Sequence, residues 1–205
     1  IMKIGQLIST VPDLLPEEYT KELEKLQSNA PPMGWNFVRR RMKSELGNDW
    51  LKKFEKFEKK PFAAASLGQV HKAVCVEGLI LACKLQYPDM ESVVEADITQ
   101  LKLMFSIYKK IDPSINTKNI LEEISNRVRE ELDYKNEVKN LKLYKSIFED
   151  CTFVNIPKVS NSLSTKRLIS MEWMNGTKLL NFKNSDHEIR KKIAINMFNT
   201  WYFPF

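Results

Sequence analysis

The sequence is short of the residues that build metal centres and disulfide frameworks. Cysteines number three (Cys75, Cys83 and Cys151), none in a C-x-x-C pair, and there are only two histidines. That set excludes the usual thiolate and imidazole combinations of a structural zinc site, and a sparse, odd count suits a reducing compartment. Long apolar runs are also missing: no stretch approaches the roughly 18 consecutive apolar residues of a membrane span. Base-stacking aromatics interleaved with Arg and Lys are not evident, so nucleic acid is not expected as a partner. Glycine is scarce, at six in 205 residues.

What is present reads as a folded chain. At 205 residues it is long enough to bury a sizeable core, and one domain is the prior. Charged residues make up 28% and hydrophobic residues 43%, a globular balance. The net charge of +6 and pI near 9.1 permit contact with anionic lipid or nucleic acid and demonstrate neither. Much of the excess is local, in Lys52, Lys53, Lys56, Lys59 and Lys60 interleaved with Glu55 and Glu58, the pattern of a solvated face. Asn175-Gly176-Thr177 fits the glycosylation triplet and is read as a turn.

The organising stretch is Ala63-Ala64-Ala65-Ser66-Leu67-Gly68-Gln69-Val70, followed by Leu81-Ala82-Cys83-Lys84. A protein-kinase phosphate loop reads G-x-G-x-x-G-x-V and precedes a strand ending V-A-I-K. On that register the glycine positions fall on Ala63, Ala65 and Gly68, the valine on Val70 and the lysine on Lys84. Alanine keeps these side chains small but removes the backbone freedom of glycine, so the loop is a stiffer version of the motif. A small-residue turn before a hairpin is the plainer reading of the loop alone.

Along the chain, segments 1–10, 16–26 and 35–46 read as helices, with Gly47-Asn48 ending the third. Segment 50–57 reads as a short helix or an extended lead-in. Two strands, 69–76 and 79–86, flank a Glu77-Gly78 turn. The run 91–111 carries Val94, Ile98, Leu101, Phe105 and Tyr108 at helical spacing. A single long helix is expected over 117–148, with Leu121, Ile124, Val128 and Leu132 as its apolar stripe and Glu130, Asp133 and Glu137 as an acidic one. Segments 153–159 and 166–174 read as strands. Ser185 or Asp186 caps a last helix that runs to about residue 202.

Several pieces together resemble the UbiB family of atypical kinase-like proteins, the ADCK-type proteins of coenzyme Q biosynthesis. They are the alanine loop with Ser66-Leu67-Gly68-Gln69-Val70-His71, Lys3-Ile4-Gly5-Gln6, Lys84-Leu85-Gln86-Tyr87-Pro88, and Glu131-Leu132-Asp133-Tyr134 with Asn136, Glu137 and Asn140. Met171-Glu172 before Gly176 looks like the hinge. The resemblance covers nearly the whole chain. It implies an α+β fold: a protein-kinase-like N-lobe with a small antiparallel sheet, a helical N-terminal extension, inserted helices and the first C-lobe helix. The implied partition is 1–60 for the extension, 61–174 for the nucleotide-binding lobe and 175–205 for the hinge exit.

The resemblance further implies ATP or ADP as ligand. Lys84 would sit on the phosphates, oriented by Glu137. Ala63, Ala64, Ala65, Ser66, Gly68, Gln69, Val70 and Ala82 would cover or flank the nucleotide, and Glu172, Trp173 and Met174 would hold the adenine edge. Lys3 and Gln6 would occlude the cleft, with Lys3 meeting Glu131 or Asp133. The family's His-x-Asp loop and Asp-x-Gly turn are not in this sequence. No metal ligand is therefore expected within it, and Mg2+ is expected only with a further lobe. Both ends read as those of a piece of a longer chain, which by itself would not transfer phosphate. The implied function is nucleotide binding by an atypical kinase or ATPase of lipid-quinone metabolism. The implied location is cytoplasmic or on the matrix side of an organelle, with peripheral membrane attachment or quinone-biosynthesis proteins as partners. A non-catalytic pseudokinase module and a basic membrane-surface scaffold are the alternatives.

Overall fold

Gly34 opens helix α1 (Trp35–Leu46), whose Phe37, Val38, Arg41 and Met42 fall on one face and are buried. A 3-10 turn at Trp50–Lys53 feeds strand β1 (Phe54–Phe57), so segment 50–57 is helical and then extended. The computed structural model describes residues 32–111 and 117–204. Strand β2 (Ala63–Ala64), β3 (Gly68–Cys75), β4 (Ile80–Gln86) and β5 (Leu168–Glu172) complete an antiparallel sheet of order β1-β3-β4-β5, with β2 beside β1 on the β3 edge. The β3–β4 turn closes through Gly78, whose φ of 78° an L side chain rarely adopts. This is the small antiparallel sheet of a kinase-like N-lobe.

Strand period decides which residues meet α1. Ala73, Cys75, Leu81, Cys83, Leu85 and Leu168 point to one face and pack with Phe37, Val38, Met42 and Trp50. Each fully buried Leu, Val, Phe or Met among them contributes roughly 1.5–3 kcal/mol before entropy is counted. Aromatic rings thicken this core: Trp50 and Phe57 lie 5.3 Å apart edge to face, and Phe57 stacks on His71 at 5.3 Å. Helix α1 and the sheet thus share one core.

Beyond β4, helix α2 (Met90–Ile111) and helix α3 (Thr117–Glu130) form a hairpin. Its core is Val94, Ile98, Leu101 and Phe105 against Ile124, Val128 and Leu132, with Leu67 of the alanine loop packed on it. Arg129 ties the pair outside by a two-pronged bond to Glu95 at 2.6 and 2.9 Å.

The expected single helix over 117–148 is in fact two. Helix α3 stops at Glu130, and α4 (Tyr134–Ile147) starts after a turn. Asp133 is the N-cap, its carboxylate accepting from Lys135 N at 3.0 Å. Tyr134 N donates to Lys166 O rather than back into a helix, and Leu132 O accepts from Gln86 Nε2 at 3.1 Å. Strand β4 and the segment leading into β5 therefore take the backbone groups that a continuous helix would need.

Segment 153–159 forms no regular strand. Only Val159 bridges to Met171, with Glu172 N donating to Lys158 O at 2.8 Å. Helix α5 (His187–Tyr202) follows, and none of its residues is buried.

Candidate functional site

The face of the sheet opposite α1 carries the cleft. Val70 pairs with Lys84, Lys84 with Ile169, and Ala82 with Met171, so Val70, Ala82, Lys84 and Met171 share that face by strand alternation. Gln69 is one residue out of phase and points the other way. It is fully buried, its amide oxygen accepting from Met33 N (2.8 Å) and its amide nitrogen donating to Met33 O (3.1 Å) and His71 Nε2 (2.9 Å). The expectation that the Gln69 side chain flanks a ligand is thus corrected. It tethers the lead-in to α1.

Lys84 Nζ donates to both oxygens of Glu137, at 2.9 and 3.1 Å. The same nitrogen sits 4.8 Å from the centre of the Tyr134 ring. Lys84 and Glu137 are about one-third exposed, open enough to meet a ligand and sheltered enough for the contact to count. Burial and the nearby Glu137 carboxylate raise the Tyr134 phenol above its ordinary pKa, so it stays neutral.

A cleft of about 960 Å³ surrounds this group, lined by Ala65, Ser66, Gly68, Lys84, Asn136, Glu137 and Asn140 among others. The loop above it is tight. Ala65 N donates to Gly68 O at 2.8 Å and Tyr87 N to Leu67 O at 3.0 Å. Gly68 has an ordinary φ, and is required by space instead: a Cβ there would run into Leu85 O and stand 3.2 Å from the Tyr134 hydroxyl. The third glycine position of the motif is needed to let β3 approach β4.

The segment expected to be the hinge, Glu172-Trp173-Met174, lies at the end of β5. Glu172 N is bonded to Lys158 O and Trp173 N to Ile80 O, at 2.8 and 2.9 Å. Among the described residues no hydrogen bond from the Met174 N–H is found. The Glu172 carboxylate accepts from Lys158 N and faces away from Met171. Trp173 is clasped between Phe62, at 4.7 Å, and the Lys72 ammonium, at 4.8 Å. A second cleft of about 830 Å³ runs along this hinge, and Ile156 lines both.

The acidic pair expected on one long helix lies in the α3–α4 turn instead. Asp133 is occupied as the cap, and Glu131 lines the cleft. Lys3 and Gln6 lie outside the described residues, as do the expected helices over 1–10 and 16–26. Among the described residues no group of three or more His, Cys, Asp or Glu converges to hold a metal ion.

The sequence and fold around this site are similar to those of known proteins. A family model for the ABC1 atypical kinase-like domain matches residues 25–203. The chain belongs to the ABC1 atypical kinase-like family. The UbiB/ADCK resemblance read from the motifs is thereby confirmed. The ABC1 chain is 35% identical to AarF domain-containing protein kinase 1 of Xenopus laevis, covering 96% of this chain and 37% of that protein. It is also 35% identical to the chloroplastic ACTIVITY OF BC1 COMPLEX KINASE 7 of Arabidopsis thaliana, over 88% of this chain and 26% of that protein. A Mycobacterium tuberculosis protein solved in complex with erythromycin superposes with a TM-score of 0.67 at 29% identity, over 93% of this chain and 48% of that one. The chain thus spans about two fifths or less of the length of these curated relatives.

Three residues that brace this cleft carry no signal of their own in the sequence. Gln86 looks like one more strand residue, yet its side chain holds the α3–α4 turn. Arg41 is buried and donates to Gln86 O and Tyr87 O at 3.1 Å each, with Glu45 at 3.3 Å as counter-ion. Tyr134 supplies the ring beneath Lys84. The signatures Lys84-Leu85-Gln86-Tyr87 and Asp133-Tyr134 contain two of them, so the motif boundaries were the available clue.

Proposed function

We propose that this ABC1 chain is the nucleotide-binding part of an atypical kinase or ATPase, holding ATP or ADP between the alanine loop and the hinge. The observation that carries the reading is Lys84, fixed by both oxygens of Glu137 beneath that loop. An ammonium held this way offers its charge to a phosphate without searching rotamers. Small side chains at Ala63, Ala64, Ala65 and Ser66 let the loop backbone come close to phosphates. Val70, Ala82 and Met171 supply an apolar face for a flat base, and Met174 N–H supplies a donor at its edge.

The unit doing this is the 61–174 region. Lys3 and Gln6 would cover the cleft, and Mg2+ would be held by residues outside this chain, to which no position here is assigned. The lipid-quinone substrate, the association with a membrane surface or quinone-biosynthesis proteins, and the cytoplasmic or organellar location belong to the same proposal. Among the described residues no helix is long and apolar enough to cross a membrane, which is compatible with peripheral attachment.

The test is calorimetric titration of ADP and ATP into the full-length protein and its Lys84→Ala variant. Saturable binding that Lys84→Ala weakens by tenfold or more supports the reading. Absence of binding in the wild type, or equal binding by the variant, overturns it.

A further inference from the structure

Lys84 has two partners of different kinds. The Glu137 carboxylate takes two of its hydrogen bonds, at 2.9 and 3.1 Å, and the Tyr134 ring lies 4.8 Å from Nζ. A second carboxylate in the ring's place would hold the lysine as firmly but would repel an incoming phosphate. An aromatic face attracts the ammonium through its quadrupole and carries no net charge. It can therefore steady Lys84 in the cleft without opposing an anion.

The ring is well placed for this. Tyr134 is the first residue of α4 and is 1% exposed. Its backbone N is anchored to Lys166 O, and Gly68 leaves just enough room above its hydroxyl, where a Cβ would stand 3.2 Å away. The hydroxyl itself is buried and has no hydrogen-bond partner among the described residues. Packing, and not the hydroxyl, fixes the ring.

We propose that Tyr134 is a positioning residue whose aromatic ring, rather than its hydroxyl, holds Lys84 in the phosphate-facing pose. This rests on the nucleotide-binding reading above for its functional consequence, though not for its geometry. The ring is what matters, so phenylalanine serves as well as tyrosine and an aliphatic side chain does not.

The experiment uses the full-length protein with 13C-labelled lysines, the Lys84 signal being assigned by its loss in Lys84→Arg. The Lys84 ε-methylene protons are expected upfield of the other lysines through the ring current of Tyr134. That shift is kept in Tyr134→Phe and lost in Tyr134→Leu. ADP affinity falls about tenfold in Tyr134→Leu and returns to within about twofold of wild type in Tyr134→Phe. In a Glu137→Gln background the Leu substitution costs more than it does alone, because the ring is then the main remaining partner. An unshifted Lys84 signal in the wild type overturns the proposal even if Tyr134→Leu does not fold. So does ADP affinity in folded Tyr134→Leu equal to wild type, or an equal loss in Phe and Leu. If the wild type binds no ADP, the nucleotide reading fails, while the ring-current shift still decides whether Tyr134 positions Lys84.

Discussion

Lys84 and Glu137 stand 53 residues apart in sequence and 2.9 Å apart in the fold. The whole α2–α3 hairpin is inserted between them. The insertion costs little at this contact because the hairpin has its own core and returns the chain to the sheet at Leu132, where Gln86 receives it. The pair thus depends on three anchors: strand β4, the Gln86 bond and the start of α4.

The pair is open to direct test. Glu137→Gln keeps shape and hydrogen bonding but removes the charge that balances the ammonium. Nucleotide affinity in the full-length protein is expected to fall about threefold to thirtyfold, with the melting temperature changed little because the pair is partly solvated. Binding measured alongside thermal melting checks this. A large loss of stability with unchanged binding would make the pair structural.

Gly68→Ala inserts a methyl group against Leu85 O, a backbone atom that cannot step aside cheaply. The strands must separate, at a cost of about 1–3 kcal/mol. The denaturant midpoint is expected to fall by the corresponding amount. Substitutions of Ala65, on the exposed part of the loop, are expected to leave it nearly unchanged.

Gln86→Leu keeps volume but leaves Leu132 O, at the buried α3–α4 turn, without its donor. The expected loss is about 1–3 kcal/mol. Because α4 starts two residues later, nucleotide affinity is expected to fall as well, although Gln86 does not line the cleft. A double-mutant cycle with Glu137→Gln should show coupling between the two positions.

His71 gives a pH dependence. Burial lowers its pKa below the ordinary 6.5. Its Nδ1–H donates to Glu58 O at 2.8 Å, so Nε2 is the bare nitrogen that accepts from Gln69. The unfolded chain binds this proton more readily than the folded one. The contribution of His71 is therefore complete above pH 6.5 and lost as pH falls below it toward the lowered folded value. As pH falls below about 6.5, wild-type stability should drop by more than that of His71→Asn, as read from chemical denaturation at each pH.

Much of this was legible in the sequence because local chemistry determined it. Helix α1 ends where Gly47 stands, the β3–β4 turn forms at Gly78, and the α2 stripe of Val94, Ile98, Leu101 and Phe105 is buried. The contact between Lys84 and Glu137 followed from the order of motifs. The break at residues 131–133 was not legible: the apolar spacing runs unbroken through Leu132, and the groups that end the helix, Gln86 and Lys166 O, are distant in sequence. Gln69 was misplaced for a related reason. Its motif position suggested the ligand, whereas strand alternation turned it to the core. The isolated bridge at Val159 shows the same limit, since an apolar segment without a full partner strand does not become a strand.

The central claim is that Lys84 faces the phosphates of a bound nucleotide. A nucleotide carrying a reactive acyl-phosphate transfers its acyl group to the amine lying against its phosphates. Incubating such an ATP analogue with the full-length protein and mapping acylated lysines by mass spectrometry tests the claim at the atom concerned. The account predicts that Lys84 is the principal site of labelling within this region, that excess ATP or ADP suppresses it, and that Glu137→Gln reduces it. Labelling of other lysines with Lys84 untouched, or labelling of Lys84 that excess nucleotide does not suppress, would contradict it.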